Sequence, residues 1–263
     1  MNQLTILCFL ILSLMMIGIS LGHASEQTAA SIDWVVDTSD RYLCQGYYSP
    51  PLIEKSSEND LNATADNTEY DGNDRIMLTG NTLITGNDFQ LQADRLSFLN
   101  STGDGNAYRN VQIRRPNSLF TGDTASVNLR TNAFDLKNSS FVTYKNKLRG
   151  ESEQLIGAPN GDIRIINGII TFCSPDVNTW DLQADHVYLN RSSGRGWADD
   201  VTIRIQEFPV LYTPLLGFPL DNRRLTGFLV PNLSVGSTSG TTIVTPFYWS
   251  PADNYDLLLR PRF

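Results

Sequence analysis

The chain has 263 residues, with 28 acidic against 20 basic side chains and a net charge of −8. This acidic balance excludes a nucleic-acid binder, because phosphates require a basic footprint. Its three cysteines and two histidines exclude a disulfide-dense mini-fold and offer no Cys/His cluster for zinc.

The first predicted element is an uncharged, mostly apolar run from Leu4 to Leu21, followed by the small residues Gly22 and Ala24. Small residues in this position favour cleavage by a signal peptidase, so we predict a signal peptide over residues 1–24. An uncleaved anchor is the alternative, because the run is close to the lower length limit of a spanning helix. Residues 25–69 contain Ser49-Pro-Pro51 and the polar run Ser56-Ser-Glu-Asn-Asp60, and they are predicted to form an extended leader.

A repeat of about 30 residues begins near residue 70 and continues to about residue 206. One half of the unit places Asn or Asp before an apolar strand, and we predict a turn at each of these positions: Asn81, Asn110, Asn138, Asn167 and Asp200. A repeat of this length indicates stacked short strands that need their neighbours to bury one face. We therefore predict an all-β domain over residues 70–206.

Alternation assigns the two faces of these strands. Ala125, Val127 and Leu129 alternate with polar residues, which predicts one apolar inner surface along the stack. The alternation changes phase near Ala93, where we predict a β-bulge. The pattern leaves open whether the inner surface is a packed core or an open groove.

The last part of the chain, residues 207–263, is predicted to contain a linker and three strands, at 225–235, 241–249 and 254–263. In the third strand, aromatic and apolar residues alternate with polar residues and two arginines, as in a wall between lipid and water. Three strands cannot close a transmembrane sheet. The segment therefore resembles the start of an outer-membrane β-barrel whose remaining strands are missing.

No motif in the sequence indicates an enzyme, a metal site or a cofactor. His186 lies in a strand pattern beside Asp185, and we predict a structural role for it because a catalytic base needs a nucleophile or metal partner.

Four segments carry a family resemblance. They read Glu207-Phe-Pro-Val-Leu-Tyr-Thr-Pro214, Phe218-Pro-Leu-Asp-Asn-Arg-Arg-Leu-Thr-Gly-Phe-Leu-Val-Pro231, Pro246-Phe-Tyr-Trp249 and Asn254-Tyr-Asp256 through to Arg260-Pro-Arg-Phe263. Together with the repeated Gln-Ala-Asp and Asn-Val elements, they resemble the LPS-assembly protein LptD family, also called OstA or organic solvent tolerance protein. The resemblance covers roughly residues 41 to 263.

The resemblance implies an open, twisted OstA-like β-jellyroll that faces the periplasm. Its apolar interior would carry the acyl chains of lipopolysaccharide (LPS) from an LptA-like bridge protein to a barrel in the outer membrane, where an LptE-like lipoprotein forms a plug. Transfer of an acyl chain from water into such a dry apolar track is favourable by about 0.8 kcal/mol for each buried methylene. The missing barrel implies a fragment or a truncated product.

With the resemblance, the inner face is interpreted as a lipid groove. The predicted groove residues are Ile84, Phe98, Val111, Ile113, Val127, Leu129, Phe141 and Ile165. Gln112 and Asn128 are predicted to point away from the groove, because they alternate with its residues.

The resemblance also concerns two cysteines and two prolines. Cys44 and Cys173 match an N-terminal cysteine pair that the family joins to two C-terminal cysteines, which this chain lacks. We expect Cys44 and Cys173 to bond to each other, to cross-link to another chain or to remain free. Pro231 and Pro246 are predicted to lie within strands, where they either replace N–H groups that have no partner or weaken pairing at a barrel seam.

Two other classes of protein remain as alternatives. One is a structural, adhesin-like β-solenoid at the cell surface, and the other is a polysaccharide-modifying β-solenoid enzyme, whose paired catalytic carboxylates cannot be identified in the sequence.

Overall fold

The computed structural model describes residues 31–36, 46–53, 61–145, 147–175, 179–220, 226–228, 232–236, 240–244, 246–252 and 254–261. Every regular element in these ranges is a β-strand. No helix in the described ranges has the length and hydropathy needed to span a membrane.

The strands form one large sheet and three small ones. The small strands before the large sheet are β1 (Trp34–Val35) and β2 (Tyr47–Tyr48). The large sheet contains β3 (Asn62–Thr64), β4 (Asn67–Tyr70), β5 (Arg75–Thr85), β6 (Gln90–Leu99), β7 (Asp104–Arg115), β8 (Ser118–Asn128), β9 (Ala133–Thr143), β10 (Leu148–Gly157), β11 (Ile163–Thr171), β12 (Trp180–Asn190), β13 (Arg195–Ile205) and β14 (Phe208–Pro219). The strands after it are β15 (Gly227–Phe228), β16 (Asn232–Gly236), β17 (Gly240–Val244), β18 (Phe247–Ala252) and β19 (Tyr255–Leu259).

The large sheet is an antiparallel meander. Each strand from β5 to β14 pairs with the next in sequence, and β3 and β4 both pair with the free side of β5. Short connections between consecutive strands favour this antiparallel order. The sheet spans residues 62–219 and therefore extends past residues 70 and 206, between which the repeat is visible in the sequence.

The repeated Asn and Asp residues lie inside long strands, so the prediction that they form turns is wrong. Asn81, Asn110, Asn138, Asn167 and Asp200 have positive φ angles of 45°, 49°, 46°, 51° and 51°. Asn and Asp tolerate this left-handed conformation better than most side chains. The pairing register shifts beside Asn81 and Asn110, as in a β-bulge with an extra residue, but continues unchanged across Asn138, Asn167 and Asp200. All five left-handed positions are here called the bulges. The predicted bulge near Ala93 is confirmed by a register shift between Gln92 and Arg95.

Each bulge asparagine is fixed by an acidic residue on a neighbouring strand or connection. The side-chain amides donate from Asn81 to Asp66 (3.0 Å), from Asn110 to Asp94 (3.1 Å), from Asn138 to Asp123 (2.7 Å) and from Asn167 to Glu153 (2.6 Å). At the fifth position the repeated residue is the acceptor, since Asp200 accepts a hydrogen bond from the Tyr212 hydroxyl at 2.6 Å. The sequence repeat is therefore a repeat of bulges.

The bulges divide the sheet into two halves that fold over each other. Half A is the part of each strand on one side of the bulges, and it ends at the turns 100–103, 129–132, 158–162 and 191–194, here called lip A. Half B is the part on the other side, and it ends at 86–89, 116–117, 206–207 and the described residues that connect β9 to β10 and β11 to β12, here called lip B. Phe120 of half B and Phe134 of half A have ring centroids 5.2 Å apart. Phe120 pairs in register with Phe141, seven residues from Phe134 along β9. A straight strand would separate those positions by about 23 Å, so the sheet is bent at the bulge.

This bent sheet encloses an apolar interior and remains unclosed along the two lips. The structure confirms the predicted all-β, open jellyroll.

The C-terminal strands differ in part from the prediction. The strands predicted at 225–235 and 241–249 each correspond to two strands that belong to different sheets, β15 and β16 for the first and β17 and β18 for the second. Strands β16 and β17 form a hairpin, and β15, β18 and β19 form a three-stranded sheet. Pro246 lies in the connection between β17 and β18. The prediction that Pro246 lies within a strand is therefore wrong. A proline in a connection removes no N–H donor from the hydrogen bonds between strands.

Candidate apolar groove

The structure brings all eight predicted groove residues into one cluster between the two halves. Seven of them are buried, and Phe98 is half-buried and packs against the others. The two residues predicted to face away lie outside this cluster. Gln112 is half-buried, and Asn128 donates its side-chain amide to Asp104 at 2.7 Å. Contact between these residues and lipid stays a prediction.

The deepest part of the interior is packed core. Residues beside the bulges, where the two halves meet, are between 0% and 1% exposed: Val111, Leu136, Leu155, Val187 and Val201. Residues that are buried to this extent are packed as closely as those of any protein core. The alternation pattern does not separate these residues from the groove surface, because both point inward.

Towards the lips of strands β10 to β14 the same surface is partly exposed. The residues of this region, here called the mouth, are Leu148, Ile163, Ile170, Leu182, Leu189 and Phe218. They come from both halves and all pack against the buried cluster. A separate open cleft of about 600 Å³ lies at the lip A ends of β5 to β10, outside the mouth, and Phe98, Val127 and Phe134 contribute to its lining. The inner surface is therefore accessible from one side of the jellyroll.

At strands β6 to β9 the two lips meet instead. The residues of this region, here called the throat, are Phe89, Leu91, Ile113, Arg115, Leu129, Asn132 and Phe134. A gap of about 20 Å³ remains between them, which is room for roughly one water molecule. Burial lowers the pKa of the Arg115 guanidinium, and a second charge, Asp88, opposes this effect.

Glycines opposite phenylalanines shape the inner surface, a feature that the sequence reasoning missed. The cross-strand pairs are Gly105 with Phe98, Gly157 with Phe134, Gly150 with Phe141 and Gly196 with Phe218. A Cβ atom at each glycine would lie 2.3–2.7 Å from the phenylalanine. At Gly150, Gly157 and Gly196 the near atoms belong to the ring, which therefore lies over the glycine backbone as in aromatic rescue, whereas at Gly105 the nearest atom is Phe98 Cβ. The signal in the sequence was a Gly on one strand at the position that faces a Phe on the neighbouring strand.

The predicted leader contributes a second apolar cluster on the outside of half B. Tyr48 packs with Leu119 and Val142, and Trp34 lies edge-on to Tyr48 with ring centroids 4.8 Å apart. Residues 31–36 and 46–53, here called the strap, therefore cover the outer face of β8 and β9.

Polar contacts fix the strap to the sheet. Asp33 forms a partly buried ion pair with Arg114 and accepts a hydrogen bond from the Tyr144 hydroxyl at 3.0 Å. Lys147 Nζ donates to the carbonyl of Gly46 at 2.8 Å. Burial raises the pKa of Tyr48 to about 12 and raises the pKa of Tyr144 as well.

The remaining predicted residues are placed as follows. Cys173 is buried, and its carbonyl accepts a hydrogen bond from Arg149 Nε at 2.9 Å. Cys44 and Pro231 lie outside the described residues, so the disulfide predictions and the seam at Pro231 stay predictions. His186 lies on β12 and stacks with Tyr188, whose ring centroid is 6.2 Å away. Within the described ranges, no three His, Cys, Asp or Glu side chains are grouped to hold a metal ion.

Comparison with known proteins places this geometry in a family context. Residues 52–145 match the family described as "Lipopolysaccharide-assembly, LptC-related". The LPS-assembly protein LptD of Pseudomonas fluorescens strain Pf-5 is 34% identical over 229 residues, which cover 84% of this chain and 24% of the relative. LptD of Pseudomonas entomophila is 38% identical over 186 residues, which cover 71% of this chain and 20% of the relative.

Among solved structures, LptH of Pseudomonas aeruginosa, described as the LptA-homologous periplasmic component of a lipopolysaccharide transport device, is 13% identical with a TM-score of 0.34. The match covers 38% of this chain and 76% of LptH. The chain spans about a quarter or less of the length of the two LptD relatives. Over most of its own length, the chain is a homologue of the LPS-assembly protein LptD.

Proposed function

We propose that the chain takes part in LPS transport to the outer membrane and that its jellyroll holds the acyl chains of LPS. The observation that carries this proposal is the continuous apolar inner surface, buried at the throat and partly exposed at the mouth. The relatives, which bear the name of LPS-assembly proteins, support the choice of ligand.

Acyl chains would lie against the mouth and against the groove residues nearest the lips. The residues beside the bulges are already packed against each other, so lipid would have to displace core contacts to reach them. At the mouth, an acyl chain covers apolar side chains that are otherwise wet, with a gain of about 0.8 kcal/mol per methylene. Among the predicted groove residues, Phe98 is the one that is partly exposed without lipid.

The proposed partners follow the direction of transport. An LptA-like bridge protein would deliver LPS at the β3/β4 edge of the sheet, where the described side chains of both strands are exposed. An exposed sheet edge can pair with an added strand. The jellyroll would face the periplasm, and the strands after β14 would lead to the outer membrane and to an LptE-like lipoprotein.

An acidic residue in the mouth tests the proposal. Leu182→Asp and Leu189→Asp place a carboxylate on the surface that would contact lipid, and we expect each to reduce the amount of LPS that copurifies with the chain by at least about tenfold. Tyr108→Asp is the matched control, because Tyr108 is exposed on the outside of the same sheet. Equal LPS content in all three variants and the parent chain would refute an acyl-chain role for the mouth.

The adhesin-like alternative is not favoured. A structural solenoid needs its inner surface as a closed core, whereas the mouth is partly exposed on strands from both halves.

A further inference from the structure

Arg115 makes the polar contact that joins the two lips at the throat. It is the last residue of β7 on lip B, and its Nη2 donates to the carbonyl of Asn132 on lip A at 2.8 Å. Its guanidinium carbon also lies 5.3 Å from the ring centroid of Phe134, again on half A. One side chain therefore spans the opening that the other strands leave unclosed.

The partners of Arg115 allow this contact to be broken. Among the described residues, Arg115 forms no ion pair, and its hydrogen-bond acceptor is a neutral carbonyl. The nearby charges are of opposite sign, Asp88 on lip B and Arg191 on lip A. A charged group that is held by a neutral acceptor and one ring can be released to water more easily than one held by a buried carboxylate.

Asn132 adds a second reason for the throat to open. Its φ angle is +60°, and its side-chain Oδ1 is buried without a hydrogen-bond donor from any described residue. Opening the lips would let water reach this acceptor and so removes the cost of leaving it unsatisfied. The closed throat is thus held by Arg115 and opposed by Asn132.

A hydrocarbon chain cannot share the throat in its closed form. The gap of about 20 Å³ between Phe89, Leu129 and Phe134 has room for roughly one water molecule. The mouth, in contrast, is partly exposed as it stands. Passage along the whole inner surface therefore requires the lips to separate at Arg115.

We propose that Arg115 is a latch whose release from Asn132 admits lipid acyl chains to the throat. This inference rests on the proposed function, because it assumes that acyl chains use the inner surface. It adds that acyl chains enter the throat and the mouth separately and that the Arg115 side chain controls entry to the throat.

The test compares lipid capture at the throat and the mouth. A photo-crosslinking residue is placed at Leu129 in the throat or at Leu182 in the mouth, and the full chain is irradiated with purified LPS. Arg115→Ala should increase capture at Leu129 by about tenfold, the change expected for loss of one charge-assisted hydrogen bond, and leave capture at Leu182 unchanged. Arg164→Ala is the matched control, because Arg164 also stacks on an aromatic ring, Tyr188 at 5.4 Å, but within half A.

A second measurement needs no lipid. Amide hydrogen exchange at residues 129–132 should become about tenfold faster in Arg115→Ala and in the milder Arg115→Gln, and stay at the parent rate in Arg164→Ala. If Leu182 captures LPS while Arg115→Ala changes neither capture at Leu129 nor this exchange, the latch is refuted and LPS transport stands. If Leu182 captures no LPS, the proposed function fails, and the exchange rates alone still decide whether Arg115 holds the lips together.

Discussion

Asp181 on β12 and Arg204 on β13 form a two-point ion pair on the outside of half B, with distances of 2.7 Å from Nε to Oδ1 and 2.9 Å from Nη2 to Oδ2. The two residues are directly opposite each other in the strand register. The Asp181 side chain is 2% exposed, so its carboxylate depends on Arg204 for compensation of its charge.

Removing the arginine from this pair should destabilise the jellyroll strongly. Arg204→Ala leaves a buried carboxylate without its ionic partner, and we expect a loss of about 3 kcal/mol in the free energy of unfolding, measured by urea denaturation. Lys137→Ala is the control, because the Lys137–Asp135 pair is exposed and separated by 3.9 Å. It should cost less than about 1 kcal/mol. Equal losses in the two variants would contradict the account of Asp181.

The bulge asparagines should be sensitive to alanine and more tolerant of glycine. Asn138→Ala loses the hydrogen bond to Asp123 and leaves alanine, which has no polar side chain to stabilise the left-handed conformation, at a φ of 46°. We expect the free energy of unfolding to fall by about 1–2 kcal/mol. Asn138→Gly loses the same hydrogen bond but adopts the left-handed conformation freely, so its loss should be smaller. Urea midpoints of the two variants give the comparison. A glycine variant less stable than the alanine variant would show that backbone strain is not what selects asparagine here.

The strap should make the chain sensitive to alkaline pH. Burial raises the pKa of Tyr48 to about 12, above its model-compound value of 10.0, so the folded state retains the proton that the unfolded state loses. The stabilising contribution is complete below pH 10 and is lost as the pH rises towards about 12, by about 2–3 kcal/mol. Tyr144 acts in the same direction.

Tyr48→Phe should therefore flatten the fall in stability between pH 10 and pH 12, measured as the urea midpoint at each pH. Tyr47→Phe is the control, because Tyr47 is adjacent in sequence and 48% exposed. A fall of the same size in the Tyr48→Phe variant and the parent chain would show that Tyr48 is not the group responsible.

The inner face could be predicted from the sequence because strand periodicity alone decides it. Val127 and Leu129 lie on one side and Asn128 on the other as soon as the segment is a strand. The position of each asparagine could not be predicted, since the left-handed conformation that Asn tolerates serves both turns and mid-strand bulges. The choice between them depends on pairing with the next strand, which a single sequence does not show.

Two contacts were missed, and for different reasons. Arg115 and Asn132 are separated by the whole of β8, so their contact across the lips follows from the fold-over at the bulges. The strap covers Leu119 and Val142, which sit beside the inward-facing Phe120 and Phe141. Two adjacent apolar residues in an alternating strand indicate burial on both faces, and this signal was present in the sequence.

The most direct measurement of the central claim is photo-crosslinking of LPS along one strand. The full chain would carry the crosslinking residue at Leu189, which faces the mouth, or at Tyr188, which faces outward between His186 and Trp197. The pair Phe98 and Gln112 repeats the comparison near the other end of the jellyroll. We predict capture of LPS at Leu189 and Phe98 and only background at Tyr188 and Gln112. Equal capture at inward and outward positions would contradict a lipid groove between the two halves of the sheet.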